Sequence, residues 1–262
     1  MNVQEVLADL VAEQEGLDIA TADLSDEQWF TQTSSARWSA IDQIAHLAFF
    51  DDTAALAISD GERFGAHAKE LLSQFTSELA VDDATLGDYR RIGPVGTLER
   101  WRENRSRLAT AAATLSDDDR VAWYGPSMGS KSFLTARLME TWAHGQDVLD
   151  AVGRTVAPTD RLSHIARLGF ITRGWSYSNR GLEQPSADVR VSLQAPSGAT
   201  WAFGDASVSE SVSGPALDFC QVVAQRRHVD ATSLVVEGEA ARDWMLKAQI
   251  FAGPATDGPA AS

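Results

Sequence analysis

Only one cysteine, Cys220, stands among the 262 residues. An internal disulfide is excluded, and a lone unpaired thiol suits a reducing, cytoplasmic setting. Positive charge is also scarce: 22 Lys and Arg face 37 Asp and Glu, a net charge of −15. Such a surface repels phosphate backbones and anionic lipid, so neither nucleic acid nor a membrane is an expected partner. A local arginine pocket could still hold a small anion. No stretch approaches the roughly 20 apolar residues of a membrane span. Residues 1–5 (MNVQE) lack the basic start and apolar core of a signal peptide. Also missing are a phosphate-binding loop, a dinucleotide glycine fingerprint, a Gly-x-Ser-x-Gly elbow and paired-cysteine zinc motifs. Phosphoryl and hydride transfer therefore have no support in the sequence.

What remains is an ordinary globular composition, 44% hydrophobic and 23% charged, with eight tryptophans. The length allows one large domain or two modest ones. Apolar residues at 3, 6, 7, 10, 11 and 17 predict an amphipathic helix from residue 2 to about 24. Ser25 and Gln28 form a capping-box pattern for a short turn. Further helices are expected from Ser39, over about 62–79, 97–115 and 132–152, and from Pro158 to roughly Tyr177. Gly153 is placed to end the helix before it. Residues 121–130 (VAWYGPSMGS) read as a loop with a buried or ligand-facing side, which makes Trp123 and Tyr124 pocket candidates. Beyond residue 184 the pattern alternates. Strands are expected over about 188–194 and 200–203, joined by a Pro-Ser-Gly-Ala turn, and over about 206–212 and 233–238, with helices over 215–227 and 239–251. The expected fold class is α+β. A helical bundle of four main helices plus extras fills residues 1–182, a small α+β domain 183–252, and a disordered tail 253–262.

Glu140 and His144 lie four residues apart on one expected helix and project from the same face. That geometry suits two ligands of one ion, and equally an ordinary surface pair. His46 lies mid-helix among apolar neighbours, as a core histidine would. Asp42, one turn earlier, is placed either to orient its imidazole or to sit in solvent. Arg137 lies one turn before Glu140 and either lines the site or faces water. Cys220 reads as a buried structural thiol. Arg226 and Arg227 follow an apolar helix, where cations suit the macrodipole.

Residues 38–47 (WSAIDQIAHL) resemble the first metal motif of the DinB-like superfamily, in which a tryptophan precedes a helix whose histidine is followed by leucine. Residues 139–148 (METWAHGQDV) resemble the second motif of its mycothiol-dependent maleylpyruvate isomerase branch. The likeness extends over nearly the whole chain. The order of residues 123–126 (WYGP), that motif and residues 214–220 (GPALDFC) is similar to a metal-binding subfamily rather than to the isomerase itself. The resemblance implies a DinB-like bundle with His46, Glu140 and His144 holding one divalent metal ion, zinc by default. It implies mycothiol as cosubstrate, and Arg226, or Arg227 one residue on, reaching the active site. Two His and one carboxylate leave an ion with an open position, the composition of a catalytic zinc site. The function expected from the resemblance is isomerisation or S-transfer on a small electrophilic, carboxylate-bearing substrate. A metal-dependent hydrolase or lyase, with bound water as nucleophile, is the alternative on the same scaffold. A non-enzymatic binding protein is another, if Asp42 or Asp147 closes the site as a fourth ligand.

Overall fold

Each apolar stripe in the first half of the chain becomes a helix. The computed structural model describes residues 1–261, which fold into two compact units, Met1–Val156 and Ala157–Ser262.

The first unit runs α1 (Val3–Thr21), α2 (Asp26–Trp29), α3 (Ala40–Ser59), α4 (Gly61–Ser73), α5 (Glu78–Ala112), β1 (Arg120–Val121), β2 (Met128–Gly129) and α6 (Ser130–Ala151). The long helices α1, α3, α5 and α6 pack together as the bundle. Their core holds Ile44, Ala45, Leu47 and Ala48 of α3 against Leu86 and Trp101 of α5, Leu17 of α1 and Val148 of α6. Capping fixes where helices begin. Asn2 with Glu5 and Ser25 with Gln28 form reciprocal boxes. At α3, the Ser39 backbone N–H donates to the Asp42 carboxylate at 2.9 Å. The α6 helix ends as expected, with Gly153 at φ 67° and the Arg154 N–H returning to the Leu149 carbonyl.

Two helical segments differ from expectation. The α4 helix stops at Ser73, and residues 78–92, not expected as a helix of their own, are helical with Leu86 and Tyr89 buried. This stretch meets the expected fourth helix at Gly93 (φ 71°), where the helix breaks ahead of Pro94. Residues 121–130 are a tight hairpin, with Val121 paired to Met128.

The second unit holds α7 (Leu162–Ile171), α8 (Arg173–Ser178), β3 (Arg190–Gln194), β4 (Thr200–Phe203), β5 (Ser211–Pro215), α9 (Ala216–Val223), a 3₁₀ turn (Val229–Ala231), β6 (Val235–Glu237) and α10 (Glu239–Lys247). The sheet order is β4-β3-β5-β6, with β3 and β5 parallel and the other pairs antiparallel. The expected hairpin is β3–β4, Val191 facing Phe203. The division between units falls earlier than residue 182, because α7 packs on α9 and α8 on α10. The helix expected over 158–177 breaks at Thr172, whose hydroxyl donates back to the Leu168 carbonyl. Residues of the expected disordered tail are held by hydrogen bonds: Asn179 donates to the Gly253 carbonyl and Gln225 to that of Thr256. Residue 262 of that tail lies outside the described residues.

Candidate metal centre

The α3 and α6 helices pack side by side and bring together what the sequence keeps about a hundred residues apart. His46 projects from α3; Glu140 and His144 project from α6, one turn apart. Their donor atoms converge within 4.8 Å of one another. The Glu140 Oε2 lies 3.1 Å from His144 Nε2 and 3.5 Å from His46 Nε2. The imidazole rings lie 4.3 Å apart, centroid to centroid. The three side chains keep 12–23% of their surface exposed, so the cluster is open on one side. Among the described residues, no fourth His, Cys, Asp or Glu joins them.

Aromatic rings wall the cluster. Trp38 lies 5.2 Å from the His46 ring and 6.1 Å from that of His144, and its Nε1 donates to Asp82. Phe50 packs at 4.6 Å on His46 and leads outward to Tyr124 and Trp123. Trp123 stacks on Phe64, and the Tyr124 hydroxyl lies 3.4 Å from His67 Nε2. Both loop aromatics thus join the aromatic cluster that reaches His46 through Phe50. Burial pushes the Tyr124 hydroxyl up to about 12.

Burial, with the His144 ring beside it, lowers the His46 pKa to about 4, so this imidazole is neutral at neutral pH. Burial alone would raise the Glu140 carboxyl. The His144 and His46 rings against it outweigh burial and hold it well below the usual carboxylate range.

Two expected residues, Asp42 and Arg137, have partners of their own. Asp42 does not orient His46. Its Oδ2 accepts from the Ser39 N–H and hydroxyl, and its Oδ1 accepts from Arg90 Nε at 2.7 Å. The partner found for a candidate-ligand imidazole is instead Gln43, whose Oε1 lies 2.6 Å from His144 Nδ1. Sequence reasoning passed over Gln43, although it stands one turn before His46 on the same helix. Arg137 does not open to solvent: it is buried and donates through Nε and Nη2 to Asp51, at 3.2 and 2.9 Å. Arg226 belongs to the second unit, in the turn after α9, where Gln225 adopts φ 57° and the Arg226 N–H closes on the Gln221 carbonyl. Its Nη1 donates to the Ala224 carbonyl at 2.7 Å, and Arg227 Nη1 donates to the Arg226 carbonyl. Cys220 is buried with its thiol pushed up by burial, which fits an inert structural role.

Fold and cluster together describe a helical bundle with a convergent His–Glu–His set beside an aromatic wall. A family model, the mycothiol maleylpyruvate isomerase N-terminal domain, matches residues 10–149. Two uncharacterized proteins of Mycobacterium tuberculosis, Rv0036c of strain H37Rv and MT0041 of strain CDC 1551, are each 39% identical to the chain over 250 residues, covering 95% of either sequence. Crystal structures of the mycothiol-dependent maleylpyruvate isomerase and of a mutant of it share the fold, with a TM-score of 0.59 at 16% identity over 89% of this chain and 93% of theirs. The chain belongs to the mycothiol maleylpyruvate isomerase N-terminal domain family.

Proposed function

We propose that the protein is a metal-dependent enzyme that binds one divalent ion, zinc by default, through His46, Glu140 and His144. Its reaction is isomerisation or S-transfer on a small electrophilic substrate, with a low-molecular-weight thiol, mycothiol, as cosubstrate. The observation that carries the metal reading is the spacing of the donors. In a tetrahedral site with bonds of about 2.0–2.1 Å, neighbouring ligand atoms stand about 3.3 Å apart. The 3.1 and 3.5 Å separations here bracket that value. A neutral His46 and an ionised Glu140 are also the protonation states in which these groups serve as ligands.

A bound ion with an open position would lower the pKa of a thiol or water placed there. The chain's own residues do the rest. Trp38 and Phe50 hold the imidazole planes. The exposed edge of the cluster admits a small molecule, and the Phe50–Tyr124–Trp123 face gives it an apolar wall that thins the water around the reacting atoms. Among the described residues no fourth His, Cys, Asp or Glu joins the three donors, and the Asp147 carboxylate lies on the Nδ1 side of His144 at 3.8 Å, which favours the thiol over the hydrolase alternative. The family to which the chain belongs supports thiol chemistry by its description.

The test is metal analysis by mass spectrometry on untagged protein, beside a His46→Ala/His144→Ala variant of unchanged circular dichroism. About one ion per chain, lost in the variant, is expected from a single three-ligand site. Cobalt-loaded protein should then show a thiolate-to-cobalt charge-transfer band on adding mycothiol. Absence of metal after reconstitution would sink the proposal. Metal binding without the thiolate band would leave a metal site and remove the thiol chemistry.

A further inference from the structure

We infer that Gln43 and Thr33 are positioning residues that lock His144 in the tautomer able to bind a metal through Nε2. The inference about affinity rests on the metal reading above; the tautomer itself does not.

A chain of buried and part-buried hydrogen bonds runs from His144 to the backbone ahead of α3. The His144 Nδ1 lies 2.6 Å from Gln43 Oε1. The Gln43 amide nitrogen lies 2.8 Å from Thr33 Oγ1, and Thr33 Oγ1 lies 2.8 Å from the Trp38 carbonyl. Gln43 is fully buried and Thr33 nearly so, so water cannot rearrange the pattern.

Counting protons settles the direction. The Trp38 carbonyl also accepts from Gln32 Nε2 and the Thr33 N–H, and the 2.8 Å approach of the Thr33 hydroxyl oxygen to it calls for the one hydroxyl proton between them. Thr33 then has only lone pairs left for Gln43, which must present its NH₂. Turning that amide over would set Gln43 Oε1 against Thr33 Oγ1 and leave two oxygen–oxygen contacts to share one proton. With NH₂ toward Thr33, the Gln43 carbonyl faces His144 and accepts the Nδ1 proton. The Asp147 carboxylate is the other group near that nitrogen. At 3.8 Å it is too far for a hydrogen bond.

That leaves the His144 Nε2 lone pair for a cation, with the Glu140 oxygen 3.1 Å away as a fellow ligand; with no ion in place, that short contact is bridged by a proton. The Trp38 carbonyl that ends the chain belongs to the residue whose ring lies against both imidazoles. One residue thus holds the site from two sides.

The experiment uses full-length protein with ¹⁵N-labelled histidine. Nitrogen NMR reads the His144 tautomer in the metal-free state, and zinc titration against a chelator reads affinity. Wild type should show a protonated Nδ1. Gln43→Leu should shift the proton toward Nε2 and weaken zinc by about 10–100-fold. Thr33→Val, which keeps the side-chain shape, should shift both in the same direction if the buried leucine variant fails to fold. Gln43→Glu, still an acceptor at Nδ1, should retain the wild-type tautomer. A wild-type His144 without a proton at Nδ1, or an Nδ1 unchanged in Gln43→Leu and Thr33→Val alike, would overturn the inference. Zinc failing to bind a wild type of the expected tautomer would overturn the metal reading and leave the tautomer assignment standing.

Discussion

His46 is the clearest single-residue case in which the fold opposes a proton. Its folded pKa of about 4 lies below the ordinary 6.5, because burial penalises the imidazolium. The unfolded chain therefore takes up this proton first on acidification. The stability tied to a neutral His46 is complete above pH 6.5 and is lost as pH falls toward 4. Glu140, also held low, adds a loss of the same sign below the usual carboxylate range. In metal-free protein the urea midpoint should fall steeply across this window, and His46→Gln should flatten the dependence. A midpoint of equal slope in the variant would show that other groups carry it. Metal binding should weaken over the same pH range, since protons and cation compete for the same lone pairs.

At the scale of elements, α3 and α6 each carry a functional stripe: Gln43, His46 and Phe50 on the one, Arg137, Glu140 and His144 on the other. What clamps the stripes in register is a buried ionic knot around Asp51, which is fully buried. It accepts from Gln14 of α1, Trp101 of α5 and Arg137 of α6. All four long helices thus meet on one carboxylate. Asp51→Ala strands the Arg137 charge in the core and should cost about 3–5 kcal/mol, read as a lowered denaturant midpoint. Asp51→Leu combined with Arg137→Met removes both charges and should recover most of that loss. If the double variant is no more stable than the single one, packing rather than charge holds the bundle.

For the whole molecule, the net charge of −15 dominates encounters with other polyanions. Duplex or single-stranded nucleic acid at low salt should not shift in a gel with the protein at micromolar concentration, and a retarded band would contradict this. No described helix is long and apolar enough to cross a membrane. The core of the second unit is tightly closed: a Cβ on Gly169 of α7 would stand 2.9 Å from Phe219 and Val223 of α9. That contact assigns α7 to the second unit rather than to the bundle.

Local information made much of this legible. Apolar period marked α1, α3 and α6, Gly153 the end of α6, and the Ser25–Gln28 box the short α2, because such signals act within a few residues. Alternation and a Pro-Ser-Gly-Ala turn marked the β3–β4 hairpin. Glu140 and His144 were readable as a pair, since four-residue spacing on a helix is a geometric statement. His46 joined them through resemblance alone, as no local rule links positions so far apart. Only the tertiary structure decided the rest. It set the helix of residues 78–92 against the bundle, with Leu86 and Tyr89 buried. It gave Asp42 to the α3 cap and Arg90, and Gln43 to His144. Those choices depend on which side chains from other elements arrive within about 3 Å, and hydrogen bonds form only at such range.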